Sequence, residues 1–284
     1  MRLLDMRGAC DCHSHIFGPY ADFPLSPQRT FDPPESSIEQ LETVWKELGI
    51  DRAVLVQGSA HGDDHRALLT ALSRSPKTRR GVALPSADIS DSVLTEWSSS
   101  GICAVRFNWI RHLLARDVRT EQQRLMDAAC MLRRIDGLAW HVELHIDIAD
   151  LDLAARLSVP ATMPVVIDHL ARMDVSASTL STQITKLMKL VDRHAFWVKL
   201  SGADRLTANS KHLNAGLDPI RQLLKAIPER CVWGLDWPHV NLARKRSDVE
   251  LVELLLEVAG DEKTLEQVLI LNPERLYGFD PVVH

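Results

Sequence analysis

Eight short β-rich runs alternate with helical patterns along this chain of 284 residues, and the alternation predicts an α/β fold closed into a (β/α)8 TIM barrel. The length agrees, since such barrels take about 250 residues. No linker rich in Gly, Ser or Pro divides the eight units, so we expect one domain over residues 1–284. An open doubly wound sheet would need a Gly-rich phosphate turn after its first strand, and none is present there.

The predicted strands are short runs rich in β-branched and apolar residues. They cover residues 9–12, 52–57, 81–84, 102–107, 139–144, 164–168, 196–200 and 231–235. Ser37 and Gln40 form a capping box at the start of the first helix, and Gly49 is its stop signal. Later helices are predicted over residues 121–135, 178–191, 217–226 and 248–258, and we expect an extra helix at the C-terminal end.

Composition and charge set broad limits on function. The chain is 45% hydrophobic and 25% charged, as expected of a globular protein with a full core. Its net charge of −5 argues against a nucleic-acid partner. The 5 cysteines form no CxxC pair, so we expect no disulfide framework and a cytoplasmic location. We see no signal peptide and no membrane span, and a homo-oligomer is compatible with the sequence.

The segment over residues 16–36 is too long and too rich in proline for a tight turn between a strand and a helix. It follows the first predicted strand directly. Two interpretations are open: a lid or pocket wall beside an active site, or a surface excursion without a role in the chemistry.

Two histidines stand one residue apart just after the first predicted strand, at His13 and His15. Side chains two apart in a strand point to the same side, so both imidazoles should face the mouth of the barrel. Barrel enzymes keep their chemistry at the C-terminal ends of their strands. The pair therefore predicts an active site at this end.

Polar residues follow other predicted strands at the same end. His169 and Asp236 each follow an apolar run, so we expect them to act in catalysis together with His13 and His15. Asp168 has two interpretations: it orients another residue of the site, or it accepts hydrogen bonds from backbone amides in the next turn. The candidate substrate-binding residues are Arg106, Arg205, Arg172, Ser59, His61 and His112. Arginine suits this role because its planar guanidinium group can form two parallel hydrogen bonds with a carboxylate.

Three imidazoles and one carboxylate support two kinds of hydrolysis. In one, His13, His15, His169 and Asp236 bind Zn²⁺, which acidifies a bound water. In the other, no metal is present, the imidazoles donate hydrogen bonds to a carbonyl oxygen, and the aspartate takes a proton from the attacking water. The residues alone do not separate these two schemes.

Seven motifs spread in order over nearly the whole chain resemble the amidohydrolase superfamily and, within it, the 2-pyrone-4,6-dicarboxylate lactonase group. They are DCHSHIFGP at 11–19, GIDRAVLVQ at 49–57, VRFN at 105–108, VIDH at 166–169, VKLSG at 198–202, DWPH at 236–239 and NPERLYG at 272–278. The His-x-His opening alone is only moderately specific. Together with the DWPH and VRFN motifs it is typical of this branch.

The resemblance implies a distorted (β/α)8 barrel that hydrolyses a lactone in aromatic-compound catabolism and requires no metal cofactor. By position, it implies that His13, His15 and His169 polarise the lactone carbonyl and that Asp236 is the general base. Arg106 and Arg205 would bind the carboxylates of an anionic substrate, with Ser59 or His61 and Arg172 nearby.

Two positions depart from the pattern of the lactonase group. An arginine is expected six residues after Arg106, where this chain has His112, and the segment over residues 140–146 lacks the expected tyrosine. The expected substrates therefore include 2-pyrone-4,6-dicarboxylate and related lactones, such as sugar-acid or muconolactone derivatives. The alternatives are a metal-dependent hydrolase or decarboxylase of the same superfamily, and a catalytically silent barrel that binds a small anion.

Overall fold

The chain forms a ring of parallel strands in the computed structural model, which describes residues 3–111, 113–114, 117–193, 196–203, 206, 213–242 and 246–282. Within these residues, eight strands lie in one sheet in chain order, and each pairs in parallel with the next. They are β1 Cys10–Ser14, β2 Arg52–Val56, β3 Arg79–Ala83, β4 Ile102–Asn108, β5 His141–His145, β6 Val165–Ile167, β7 Phe196–Leu200 and β8 Cys231–Trp233.

The ring closes where the chain after β8 returns to β1. Ser14 and Trp237 form a parallel bridge. The amide of His15 donates to the carbonyl of Trp237 at 2.8 Å, and the amide of Asp236 donates to the carbonyl of His13 at 2.7 Å. The predicted (β/α)8 barrel is therefore confirmed, and its last seam is made mostly by residues beyond the regular strands.

Helices connect the strands on the outside of the sheet. The first, α1, begins with the predicted capping box between Ser37 and Gln40 and ends at Gly49, whose φ is 87°. The helices run α1 Ile38–Leu48, α2 Arg66–Ser73, α3 Asp91–Ser99, α4 Glu121–Ile135, α5 Leu151–Arg156, α6 Leu180–Arg193, α7 Leu213–Ala226, α8 Asp248–Ala259, α9 Glu262–Glu266 and α10 Asn272–Tyr277. Among the described helices, none has both the length and the apolar character that crossing a membrane requires.

Several predicted boundaries shift for local reasons. β5 begins at His141, two residues late, because Ala139 takes a left-handed conformation with φ 55° that closes the preceding turn. β6 ends at Ile167 because Asp168 begins a tight turn. β3 and α7 begin at residues 79 and 213, earlier than the predicted 81 and 217. The short helices α2, α3 and α5 were not predicted, since 6 to 9 residues carry little periodicity.

Two apolar layers build the core, as expected for a barrel. The larger one lies between the sheet and the helices. The smaller one combines side chains from the strands with the C-terminal segment around α10, including Leu276, Tyr277 and Phe279. Arg52, at the start of β2, pairs with Glu274 of α10 at 2.9 Å. The expected C-terminal helix is thus present and covers the N-terminal end of the barrel.

The seam between β1 and β8 is held by Asp11, a fully buried carboxylate. It accepts hydrogen bonds from Ser14 Oγ at 2.5 Å, Trp45 Nε1 at 2.9 Å, the amide of Leu235 at 2.9 Å and the amide of His13 at 3.0 Å. Burial raises the pKa of Asp11, while these four bonds favour its charged form. One side chain thereby joins β1 to α1 and to the end of β8.

Gly234 permits the close approach of β8 to β1. A Cβ at this position would lie 2.5 Å from His13 Cβ and 2.7 Å from the His13 amide nitrogen. We expect Gly234→Ala to lower the free energy of unfolding by about 1–3 kcal/mol, because the backbone must move to relieve this overlap. Urea denaturation of the purified variant measures the change.

Gly137→Ala is the matched control, since a Cβ there meets nothing within 4 Å. It should leave stability unchanged or raise it by about 0.4–1 kcal/mol by restricting the unfolded chain. Equal stability of the two variants would contradict the role assigned to Gly234.

Candidate active site

A cavity of about 190 Å³ opens at the C-terminal ends of the strands. Its position is the one predicted from the polar residues that follow the strands. It is lined by His15, Phe17, Phe31, Gly58, Ser59, Arg106, Ile110, Leu113, His145, His169, Arg172, Asp236, Val240 and Asn241. The wall is thus partly aromatic and partly polar, with cationic and anionic groups facing the same space.

The four residues predicted to be catalytic lie together in the mouth of the barrel. His13 Nε2 is 3.2 Å from His15 Nε2. Asp236 Oδ1 is 3.8 Å from His13 Nε2 and 3.7 Å from His15 Nε2. The ring of His169 stands 4.6 Å from that of His13, measured between centroids. All four are buried, so their chemistry is sheltered from bulk solvent.

Strand alternation alone does not explain why both His13 on β1 and His15 just after it reach the site. Cys10 and Cys12 pack in the inner layer of the barrel, so simple alternation would turn His13 outward. The pairing register of β1 with β2 shifts between Asp11 and Ser14, and Asp11 bonds back to the amide of His13. This irregularity re-aims His13 into the mouth, as bulges beside active sites commonly do.

His169 is presented by a left-handed turn. His169, Leu170, Ala171 and Arg172 have φ values of 51°, 52°, 54° and 48°, although none is glycine. Such a conformation costs roughly 1–2 kcal/mol per residue, so surrounding contacts must hold it. Ser201 Oγ lies 2.8 Å from His169 Nδ1 and supplies one of them. The turn brings two predicted site residues, His169 and Arg172, to the cavity wall.

The predicted substrate-binding residues divide into three groups. Arg106, Arg172 and Ser59 line the cavity. His61 does not line it: its ring stacks on Phe17 at 5.8 Å, and its Nδ1 bonds to a backbone carbonyl at 3.2 Å. Arg205 and His112 lie outside the described residues.

Asp168 is neither an orienting partner of His169 nor an acceptor for the following turn. It is fully buried, and neither carboxylate oxygen makes a hydrogen bond within the described part of the chain. Lys199 Nζ at 3.3 Å and Arg106 Nη1 at 3.6 Å instead balance its charge. Asp168 therefore serves as a buried counter-ion beneath the histidines.

Sequence reasoning missed the ion pair between Lys199 and Glu143, both 0% exposed. Lys199 Nζ lies 2.6 Å from Glu143 Oε1 and 3.2 Å from His13 Nδ1. Burial opposes both charges, but Lys199 lowers the pKa of Glu143 to about 2, and the nearby carboxylates raise the pKa of Lys199. The sequence signal that could have revealed this pair is Lys199 itself, a charged residue within the otherwise apolar strand β7.

His145 and the segment over residues 16–36 also contribute to the site. His145 lines the cavity, and its Nδ1 lies 3.2 Å from Asn108 Oδ1, so this face of β5 points into the site at its C-terminal end. Phe17 and Phe31 add an aromatic wall, and paired backbone bonds between Phe17 and Ser36 close the base of the segment. The segment is therefore a pocket wall.

His13 and His15 are held neutral. Burial lowers the pKa of His15 to about 3, with a further contribution from the Arg106 charge. Burial and the neighbouring Lys199 ammonium hold the pKa of His13 well below its ordinary value. Neutral imidazoles each carry one hydrogen, so their hydrogen-bond partners decide which nitrogen donates.

The spacing of the cluster suits a metal ion, but its charges do not. His13, His169 and Asp236 offer ligand atoms within 4.8 Å of one another, as do His13, Glu143 and Asp168. The Lys199 ammonium already lies among the second group. Arg106 Nη1 lies 3.4 Å from His13 Nε2, in the first group. Arg106 and Lys199 both place a positive charge next to the His13 ring, and these charges would repel a divalent cation bound there. The residues therefore fit Zn²⁺ poorly.

The fold and the site define an α/β-barrel enzyme with its reacting groups at the C-terminal mouth. Comparison with known proteins makes this specific. The model of the amidohydrolase family matches residues 10–279, and the chain belongs to that family. The resemblance seen in the sequence motifs is thereby confirmed.

Curated relatives match the chain over nearly its full length. A 2-pyrone-4,6-dicarboxylate hydrolase of Comamonas testosteroni is 34% identical over 95% of this chain and 90% of its own. A 4-sulfomuconolactone hydrolase of Hydrogenophaga intermedia is 33% identical over 98% of this chain and 91% of its own. A solved structure from Pseudomonas putida, provisionally assigned as a 2-pyrone-4,6-dicarboxylic acid hydrolase, has a TM-score of 0.83 at 29% identity, covering 97% of this chain and 99% of that one.

Buried histidines should make the fold sensitive to mild acid. Burial lowers the pKa values of His13, His15, His61, His65 and His141 below 6.5, so the unfolded chain binds more protons. We expect the free energy of unfolding to fall as the pH drops from 7 to 5. Each such histidine contributes a slope approaching about 1.4 kcal/mol per pH unit. Urea denaturation at several pH values measures it.

His65→Gln is the control for this pH dependence, because His65 lies outside the cavity lining and bonds to the backbone of residues 63 and 84. In this variant, the free energy of unfolding should depend less steeply on pH, and the difference should equal about the contribution of one histidine. This expectation holds whatever the stability of the variant at pH 7. A free energy of unfolding that is independent of pH over this range would contradict the neutral burial of these rings.

Proposed function

We propose that this protein hydrolyses the lactone ring of an anionic substrate, namely 2-pyrone-4,6-dicarboxylate or a related lactone of aromatic-compound catabolism. The observation that carries the proposal is the placement of the Asp236 carboxylate within 4 Å of two buried neutral imidazoles, in a cavity that also contains arginines. The relatives named above act on such lactones according to their names. The enzyme is thus a hydrolase of cyclic carboxylic esters.

In the proposed reaction, Asp236 acts as the general base. It accepts a proton from water, and the water oxygen attacks the lactone carbonyl carbon. Charge develops on the carbonyl oxygen, where hydrogen bonds from the histidine cluster and Arg106 stabilise it. The bond between the carbonyl carbon and the ring oxygen then breaks, the ring oxygen takes up the proton, and the product is an open-chain carboxylate.

Arginines at the cavity wall are proposed to hold the anionic groups of the substrate. Arg172 lines the cavity on a partly exposed side chain, and its Nε lies 3.1 Å from a carboxylate oxygen of Asp147. Arg106 is buried and faces both the cavity and Asp168. Arg205 follows β7 in the sequence, and we propose that it shares this role with Ser59. His61 would act only indirectly, through the Phe17 ring that it supports.

We propose that the reaction needs no metal cofactor, because Arg106 and Lys199 already supply positive charge at the cluster. A zinc-dependent hydrolase or decarboxylase is the alternative. All 5 cysteines are unpaired, which supports the proposed cytoplasmic location. A homo-oligomer stays a prediction.

The direct experiment is a spectrophotometric assay of purified protein with a panel of lactones. The panel should include 2-pyrone-4,6-dicarboxylate, a muconolactone and a sugar-acid lactone. Each is assayed before and after treatment with a chelator, and the metal content of the protein is measured in parallel. Hydrolysis of an anionic lactone that survives chelation supports the proposal. Loss of activity on chelation, with recovery on adding Zn²⁺, supports the metal-dependent alternative.

Asp236→Asn tests the general base. The amide cannot accept the proton from water, so turnover should disappear while the shape of the site is retained. Substrate affinity should stay within roughly tenfold of the wild type, since the variant removes an interaction of the transition state. Stopped-assay kinetics and calorimetric binding measure the two quantities. A silent anion-binding barrel would instead show no turnover in either protein.

Arg172→Gln tests the anion contact. Loss of one charge-assisted bond to a carboxylate should lower kcat/KM by an amount equivalent to about 1.5–3 kcal/mol, or roughly 10- to 100-fold. Steady-state kinetics on the preferred lactone provide the measurement. The control is Arg221→Gln, which removes a surface arginine paired with Asp218 on α7 and should leave kcat/KM unchanged. Equal values for both variants would remove Arg172 from the site.

A further inference from the structure

His239, the last residue of the DWPH motif, lies between the Asp236 carboxylate and helix α8, and the reaction proposed above assigns it no step. It is buried, and it is not among the described residues that line the cavity. We therefore expect no direct contact between its ring and the substrate. In the sequence, however, it follows Asp236, the proposed general base, by only three positions.

The backbone from Asp236 to Asn241 takes a conformation that is unfavourable for residues with a side chain. Asp236, His239 and Asn241 have φ values of 64°, 58° and 61°, although none of them is glycine. A left-handed backbone brings the Cβ too close to the following carbonyl oxygen, so surrounding contacts must hold it. The contacts that hold this segment therefore also determine where the Asp236 carboxylate lies.

Backbone hydrogen bonds hold the first part of the segment. The amide of Asp236 donates to the carbonyl of His13 at 2.7 Å. The amide of His239 donates to the carbonyl of Asp236 at 2.9 Å, which closes a four-residue turn. Because Asp236 and His239 are the two ends of this turn, a displacement of His239 also displaces Asp236.

The side chain of His239 joins the turn to α8. His239 Nε2 lies 2.7 Å from Asp248 Oδ1, and Asp248 is the first residue of α8. A hydrogen bond to a carboxylate is charge-assisted, and it is stronger than a bond between neutral groups. Among the described residues, His239 Nδ1 has no hydrogen-bond partner. The contact with Asp248 is therefore the polar contact that orients this ring within the described part of the chain.

Helix α8 is itself packed against the barrel. Its residues Leu251, Val252 and Leu255 are buried in the larger apolar layer of the core. Asp248 consequently has a fixed position relative to the strands, and the hydrogen bond to it restrains the turn that carries Asp236.

We propose that His239 is a positioning residue: by binding Asp248, it holds the turn and keeps the Asp236 carboxylate within 4 Å of His13 and His15. A general base must lie within hydrogen-bond reach of the proton that it accepts. A displacement of about 1 Å can lower a reaction rate by roughly 10²-fold. The catalytic part of the proposal rests on the proposed lactone hydrolysis, whereas the position of the carboxylate can be measured without a substrate.

His239→Leu removes the bond to Asp248 and retains a side chain of similar size. Its kcat on the preferred lactone should fall roughly 10- to 100-fold, because the Asp236 carboxylate is no longer held in place. KM should change less, because the proposed substrate-binding residues Arg106 and Arg172 lie on other elements. His239→Gln should restore most of kcat, since its amide can donate to Asp248 from the same number of bonds beyond Cβ. Steady-state kinetics measure all of these values.

Ser247→Ala is the matched control, because it weakens the start of α8 and leaves His239 and Asp248 in place. Ser247 caps the helix by accepting a hydrogen bond from the amide of Glu250 at 3.2 Å. The variant should be less stable than the wild type but should keep its kcat and KM. An equal fall of kcat in Ser247→Ala and His239→Leu would show a general effect of α8 and overturn the proposal.

Asp248→Ala breaks the same contact from its partly exposed partner, and it takes the place of His239→Leu if that variant does not fold. Its kcat should fall by a similar factor, and an unchanged kcat would contradict the proposal. Where both single variants fold, the double variant should lose no more activity than either of them, because all three lack one and the same contact. Multiplied losses would show that the two residues act separately.

Crystal structures of the wild type and of the folded variant, both without substrate, measure the position of the carboxylate. The distance from Asp236 Oδ1 to His15 Nε2 is 3.7 Å in the native chain, and it should lengthen by about 1 Å in the variant. An unchanged distance would overturn the proposal, whatever the kinetics show. If the wild type hydrolyses no lactone, the proposed function fails, but this distance still decides whether His239 positions Asp236.

Discussion

The seam between β1 and β8 is the contact on which the site depends. Asp11 binds the amide of Leu235 and the side chain of Trp45, and Gly234 leaves room for the backbone of His13. Directly beyond this contact, the amide of Asp236 donates to the carbonyl of His13. The hydrogen bonds that close the barrel therefore also bring the Asp236 carboxylate to the imidazoles of His13 and His15. The same contacts contribute to the stability of the fold and to the geometry of the site.

Beneath that seam, four buried charges balance one another. Arg106 and Lys199 are the cations, and Glu143 and Asp168 are the anions. Tyr277 of α10 donates to Glu143 at 3.1 Å, so the C-terminal helix also supports this set. Buried ions are tolerated only when they are paired, and the pairing here lets two neighbouring histidines stay neutral in a charged setting. Neutral rings can donate or accept selectively, whereas charged rings can only donate.

The parts of the site differ in how rigidly they are held. His13, Arg106 and Lys199 lie on strands, whose geometry is enforced by the sheet. His169 and Arg172 lie on a left-handed turn, and Phe31 on a long segment, where insertions and substitutions are better tolerated. This division agrees with the relatives, which are named for different lactones. The strands thus hold three residues of the cluster rigidly, and turns and loops form much of the remaining cavity wall.

Much of this molecule could be predicted from its sequence. Alternating β and α patterns are local properties of the chain, so the barrel and the end that carries the polar residues followed from periodicity. The capping box at Ser37 was predicted from a local motif, and the grouping of His13, His15, His169 and Asp236 from their positions after predicted strands. Periodicity failed where the backbone is irregular, as at the register shift of β1 and in the left-handed turn after Asp168.

The sequence therefore predicts the class of fold and the end of the barrel at which the reacting residues gather. Three features became visible only in the folded chain: Lys199 contacts His13 across 186 positions of the sequence, Asp168 is a counter-ion, and His61 lies behind Phe17. The two kinds of feature depend on interactions over different distances along the chain. Hydrogen-bonded periodicity is set by neighbours along the chain, whereas the pairing of buried charges depends on distances that exist only after the ring has closed.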